Sequence, residues 1–194
     1  ERVLLISSTF IMHVLHNVLV PQVIPMHEGF VDNARIDVHG RIHHDHERFT
    51  VELLSGPHVV LHVDFRFGYN GDHIVVLNSC SHNSWGEEIR VHNPIHHGDH
   101  FHLTIRAHHS HYDIHVNGHH VAEFYHRLPM AAVQAIGFRG HGHVEKVSFE
   151  GFAFAHSWGN HCNDHFGHAG WVGYGTEVYV APTFVSGHGH VGYF

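Results

Sequence analysis

Between His62 and Arg90 the chain reads HVDFRFGYNGDHIVVLNSCSHNSWGEEIR, and three pieces of it carry side chains able to hold a polyhydroxylated ligand. Asp64 and Glu88 only accept hydrogen bonds and Arg66 and Arg90 only donate them. Asn78 does both, and His62 does one or both according to its protonation. A hydroxyl group needs partners of both kinds. A guanidinium held between two carboxylates keeps one rigid edge for a ligand, and the indole of Trp85 offers an apolar plate to the C–H face of a pyranose. That set describes a shallow sugar site. A plainer reading is a solvated cross-strand ladder of Asp64, Arg66, Glu88 and Arg90 with an incidental Trp. It accounts for the charges but not for His62, Asn78 and Trp85 at the same offsets.

The elements that must position these groups are strands. Val59, Leu61, Val63, Phe65 and Phe67 alternate with His62, Asp64 and Arg66, the period of a half-buried strand. HIVVLN sets Val75 and Leu77 against Val76 and Asn78, and EEIRVH sets Glu88, Arg90 and His92 against Ile89 and Val91. Three neighbouring strands would pool their polar residues on one sheet face. SHNSWGE, ahead of Glu88, has the Ser, Asn and Gly of a turn or strand start. Elsewhere Phe49, Val51 and Leu53 alternate up to the breaker Ser55-Gly56-Pro57. Phe101-x-Leu103-x-Ile105 and Tyr112-x-Ile114-x-Val116 read as strands of the opposite sheet, with Asn117-Gly118 the strongest hairpin signal. Val133 to Phe138 and Val144 to Phe149 complete the set. With 194 residues, 43% hydrophobic content, no long helical period and no internal repeat, the expected fold is an all-β, two-sheet antiparallel sandwich with one recognition domain.

His62-Val-Asp64-Phe-Arg66, Val76-Leu-Asn78 and Trp85-Gly-Glu-Glu88-Ile-Arg90 together resemble the carbohydrate-recognition motif of galectins. That family's pattern is His-x-Asn-x-Arg, Val-x-Asn and Trp-Gly-x-Glu-x-Arg on three successive strands. The resemblance extends over roughly residues 20 to 152 and implies a galectin-like jelly roll that binds β-galactosides without catalysis or cofactor. It implies that His62, Asp64 and Arg66 hold the axial 4-hydroxyl of galactose and that Asn78 and Glu88 take the 6-hydroxyl. Trp85 would stack under the ring, and Glu88 with Arg66 and Arg90 would reach a second sugar. Two positions depart from the pattern: Asp64 stands where the family has Asn, and Phe65 where it has Pro. The charged Asp64 keeps an acceptor and loses an amide donor, so galactose binding is expected to be weakened or retuned, not abolished. Protonation of His62 would remove an acceptor and lower affinity in mild acid. An open groove of this kind binds single disaccharides at about 10 µM to 1 mM, so useful avidity needs several copies on clustered glycans. The protein is expected to be extracellular and secreted, with a cytoplasmic pool in addition.

The domain reading is an N-terminal apolar extension over 1–20, a galectin-like domain over 21–152 and a C-terminal extension over 153–194. The first twenty residues are too interrupted for a membrane span and lack a signal peptide's basic start. They read as a leading strand or docking segment, or as the remnant of a longer precursor, with the first preferred. The C-terminal extension is rich in Gly and His, yet Trp158, Phe166, Trp171 and Tyr174 begin a run of aromatics better suited to packing against something than to a solvated tail. Both extensions could support a homo- or hetero-oligomer, and an assembly subunit of a larger extracellular complex is the alternative function. Cys80 and Cys162 permit one disulfide or two free thiols.

Composition narrows the partners. A formal charge of −8 does not recommend nucleic acid. The 31 histidines outnumber the ten Lys and Arg, Lys146 being the only lysine, and no zinc-ligand spacing is recognisable. Most of these histidines, including the pairs at 96–97, 108–109 and 119–120, are expected to be solvent-facing polar residues, with no metal site. A glycosidase built on Glu87, Glu88 or Asp64 is disfavoured. Alternation turns Glu87 away from Glu88, and arginines beside Asp64 and Glu88 would keep both ionised.

Overall fold

The computed structural model describes residues 12–26 and 28–153. Thirteen strands run through these residues: β1 (Met12–Val18), β2 (Gln22–Pro25), β3 (Arg35–Ile42), β4 (Arg48–Ser55), β5 (His58–Arg66), β6 (Ile74–Ser81), β7 (Ser84–Trp85), β8 (Ile89–His92), β9 (His100–Ala107), β10 (His111–Val116), β11 (His119–Tyr125), β12 (Ala135–Gly140) and β13 (Gly142–Glu150). All pairings are antiparallel. One sheet has the order β1-β13-β3-β9-β10-β11; the other runs β2-β12-β4-β5-β6, and β7 and β8 pair with successive parts of β6. No helix among the described residues is long and apolar enough to cross a membrane. Met12–Val18 forms a strand on the edge of the first sheet, while residues 1–11, the C-terminal extension from 154 and Cys162 lie outside the described residues.

The alternating strands build the core as their period dictates. Phe49, Val51 and Leu53 of β4, Val63 and Phe65 of β5, and Val75 and Leu77 of β6 point inward and are fully buried. They meet Ile36 and Val38 of β3, Leu103 and Ile105 of β9, and Ile114 and Val116 of β10 from the opposite sheet. Phe65 is thus a core residue. Near the start of β5 the alternation differs from expectation: a register shift between Val59 and His62 turns Val60 inward and leaves Val59 only half-buried. An extra residue of this kind sends the chain round a bulge, which a strict period of two cannot foresee.

Tight turns place the remaining strands. Asn117 and Gly118 have φ of 52° and 78°, the left-handed pair that a two-residue hairpin between β10 and β11 requires. His82 and Asn83, with φ of 51° and 61°, make the corresponding turn between β6 and β7 and so deliver Trp85 to the sheet edge.

Tyr112 on β10 is an apolar anchor with one polar defect. Its ring meets His126 and Phe30 edge-on, at 4.5 and 5.6 Å between centroids. Its hydroxyl is buried without a hydrogen-bond partner among the described residues, and burial pushes the phenol pKa well above the usual tyrosine range. A buried hydroxyl with no partner carries an uncompensated desolvation cost. Tyr112→Phe is therefore expected to raise the unfolding free energy by about 1 kcal/mol, seen as a higher denaturant midpoint at unchanged slope; a lower midpoint would show that the hydroxyl stabilises the fold.

Candidate carbohydrate-binding groove

The outward faces of β12, β4, β5, β6 and the β7–β8 segment form one continuous polar surface, and strand register decides who stands beside whom. In β4 and β5, Arg48 faces Arg66, Thr50 faces Asp64 and Glu52 faces His62. In β5 and β6, His62 faces Asn78 and Asp64 faces Val76, and Val76 in turn faces Arg90 of β8. A groove of about 590 Å³ lies over this surface. Of the eight residues expected to form the site, His62, Arg66, Val76, Asn78, Trp85 and Glu88 line it. Arg90 flanks it through its ion pairs.

Charges alternate along the groove floor. Asp64 Oδ1 accepts from Arg48 Nε at 2.6 Å and Thr50 Oγ1 at 2.8 Å, and Oδ2 accepts from Arg66 Nε at 3.0 Å. Arg66 continues to Asp72 at 3.3 Å and Glu88 at 3.5 Å, and Arg90 closes the chain on Asp72 at 2.5 Å and Glu88 at 3.2 Å. On the other side Glu52 accepts from Arg139 at 2.7 Å and from His62 Nδ1 at 2.6 Å. A carboxylate cannot donate, so Nδ1 of His62 carries the proton and Nε2 is left as its second ring nitrogen, an acceptor while the ring is neutral. Four arginines thus stand among four carboxylates, leaving the floor close to neutral and dense in fixed donors and acceptors. Both the ion-pair ladder and the sugar-type groove are present, and the ladder holds the groove's side chains in place.

Asp64 takes a different position from the one expected. It is 0% exposed, with its carboxylate engaged by Arg48, Thr50 and Arg66, so it lies beneath the face and orients two guanidiniums. Burial by itself would raise its carboxyl, but the hydrogen bond and charge of Arg48, with His62 and Arg66, hold it below the usual carboxylate range. Arg66 is driven the other way: burial would lower its guanidinium, yet Asp64, Glu88 and Asp72 raise it further.

Trp85 is half exposed, at 50%, and its indole meets the buried His62 ring edge-on at 4.9 Å between centroids and 65° between planes. An exposed indole fixed by a buried imidazole is a platform with a polar floor beside it. Tyr69 also lines the groove, from the 3₁₀ turn Tyr69–Gly71 between β5 and β6, its ring centroid 4.9 Å from the Arg48 guanidinium and 5.6 Å from that of Arg66. Arg48, Thr50, Glu52, Tyr69, Arg127 and Arg139 were not among the residues expected at the site. The first three were visible as the polar partners in RFTVELL; the others lay on elements whose neighbours one strand's pattern does not reveal.

This surface has known relatives. The Galactoside-binding lectin family model matches residues 21–149. The chain belongs to the galectin family. It is 49% identical over 184 residues to "Probable galaptin lec-8" of Caenorhabditis elegans, covering 94% of this chain and 100% of that protein. It is 40% identical over 148 residues to "Probable galaptin lec-7" of the same organism, covering 76% of this chain and 82% of that one. The crystal structure of galectin LEC-6 from C. elegans superposes with a TM-score of 0.65 at 30% identity, over 70% of this chain and 94% of that one. Sheep galectin-11, at 20% identity and a TM-score of 0.60, shares the fold. The galectin sandwich expected from the sequence is the one observed.

The histidines of this galectin divide as expected, with one addition. His62 and also His58 are buried, whereas the surface carries stacked pairs such as His39–His102 at 4.0 Å and His46–His141 at 3.9 Å between centroids. Among the described residues no three His, Cys, Asp or Glu converge on a metal-binding position. Cys80 is buried on β6, and no other described cysteine bonds to it.

Proposed function

We propose that this galectin binds β-galactosides in the groove over β4–β8, with Trp85 stacked on the apolar face of galactose. His62 and Arg66 address the axial 4-hydroxyl, Asn78 and Glu88 the 6-hydroxyl, and Glu88 with Arg66 and Arg90 the neighbouring sugar, while Asp64 acts from below. The observation that carries this reading is the half-exposed indole braced edge-on by His62 beside a near-neutral floor of fixed donors and acceptors. A neutral polyol satisfies such a floor; a strongly charged ligand would leave part of it unmatched. Its partners are galactose-containing glycans or glycoproteins displayed outside the cell, engaged in several copies at once because each contact is weak.

The groove is a binding site without chemistry. Asp64 is held ionised and so is not set up as a general acid, and Glu88 is shared between Arg66 and Arg90. Calorimetric titration tests both statements. Lactose is expected to bind at about 10 µM to 1 mM. Cellobiose, which differs at the galactose position only by an equatorial 4-hydroxyl, is expected to bind at least about tenfold more weakly, since polar partners would be left unpaired. No free galactose should accumulate on long incubation. Equal affinity for the two sugars, or release of galactose, would refute the assignment.

A further inference from the structure

Arg127 belongs to none of the three motif strands. It lies on the segment leaving β11, in the sheet opposite the groove, yet its guanidinium reaches the groove wall. Nη1 donates to Asn78 Oδ1 at 2.9 Å and Nη2 donates to the Glu87 carbonyl at 2.8 Å. The guanidinium rests 4.8 Å from the centroid of the buried Phe124 ring. The Ser79 amide donates to the same Asn78 oxygen at 2.8 Å, while Asn78 Nδ2 donates to the Gly86 carbonyl at 2.9 Å. Each partner can play only one role: a guanidinium and a backbone N–H cannot accept, and a carbonyl cannot donate. Both lone pairs of Asn78 Oδ1 are therefore taken, and one amide hydrogen remains.

We propose that Arg127 is a positioning residue that locks Asn78 as a donor toward the groove, so that the site selects a hydroxyl accepting from Asn78 and donating to Glu88. This rests on the galactoside reading above. Without the guanidinium Asn78 Oδ1 keeps a single partner, and only the Ser79 amide and the Gly86 carbonyl then hold the side chain against turning its oxygen toward the ligand. Glu88 already supplies an acceptor there, and one hydroxyl proton cannot serve two. Gly86 gives independent support. A Cβ on it would lie 2.6 Å from Arg127 Nη1 and 3.2 Å from Asn78 Oδ1, while its φ is not among the positive values that call for glycine. Its missing side chain makes room for this contact.

The test is calorimetric titration of lactose and 6′-deoxylactose against the wild type, Arg127→Ala, Arg127→Lys and Gly86→Ala, with thermal unfolding of each. Wild-type protein is expected to favour lactose by about tenfold, the worth of one lost hydrogen bond with its partners left unpaired. In Arg127→Ala and Gly86→Ala that preference should shrink to about threefold or less, with lactose losing most, and Arg127→Lys should keep part of it. Gly86→Ala retains the guanidinium and displaces it, so the test survives if Arg127→Ala fails to fold. A preference unchanged in the variants, whether or not both sugars weaken, overturns the proposal, as does a wild type that binds lactose with no preference. Wild-type protein that binds neither sugar overturns the galactoside reading and this inference together.

Discussion

Asp64→Ala is expected to lower the unfolding free energy by about 2–4 kcal/mol near neutral pH, and to weaken lactose binding with it. The carboxylate is fully buried and accepts from Arg48, Arg66 and Thr50; its removal strands a hydroxyl and leaves two guanidiniums without their shared acceptor. The expected loss is below that of a fully buried pair because the Arg48 side chain is 33% exposed and retains solvent. Acid provides the signature. The folded carboxyl titrates below its unfolded value of about 3.9. Its contribution is therefore complete above that pH and is lost as pH falls through the folded value. Wild type and Asp64→Ala should differ most near pH 7 and converge in strong acid, as read by denaturant unfolding across the pH range. A difference independent of pH would mean that Asp64 fills space without acting as an anion. Asp64→Asn separates charge from shape. In either orientation its amide nitrogen would have to face Arg48 or Arg66, neither of which can accept, so a loss of about 1–2 kcal/mol is expected, with lactose binding retained at altered affinity.

Trp85→Ala is expected to cut lactose affinity by about tenfold to a hundredfold while leaving the unfolding midpoint nearly unchanged. The indole is 50% exposed in the free protein, so the fold gains little from it. A pyranose covering on the order of 60 Å² of that surface, at about 25 cal/mol/Å², gains roughly 1.5 kcal/mol, a little over tenfold. Removing the indole also takes away the edge-on contact to His62, leaving the imidazole held by Glu52, and this adds to the loss. On a glycan array the variant should lose galactosides across the board, because a stacking platform carries little information about what lies beyond the first sugar. Retention of wild-type affinity would remove Trp85 from the site.

Which side of each central strand faces the ligand was legible in the chain. His62, Asp64 and Arg66 alternate with Val63 and Phe65, and a strand's side chains must take opposite faces, so the polar set could only lie together. The same reasoning placed Asn78 beside Val76 and Glu88 ahead of Arg90. Trp85 was expected at a turn or strand start, and the left-handed pair His82 and Asn83 puts it there.

The depth of each side chain and the identity of its lateral partner came only with the folded sheet. Asp64 and Arg66 sit on the same face of the same strand, yet one is 0% exposed and the other's side chain 11%. Arg48 and Thr50, from the strand alongside, close over the shorter carboxylate while the longer guanidinium reaches past them. Arg139 reaches Glu52 because β12 lies next to β4, and Arg127 reaches Asn78 from the opposite sheet. A periodic pattern along one strand fixes facing because it is a local consequence of backbone geometry. Register, bulges and strand order arise from pairings between distant segments, and these determine which donor meets which acceptor.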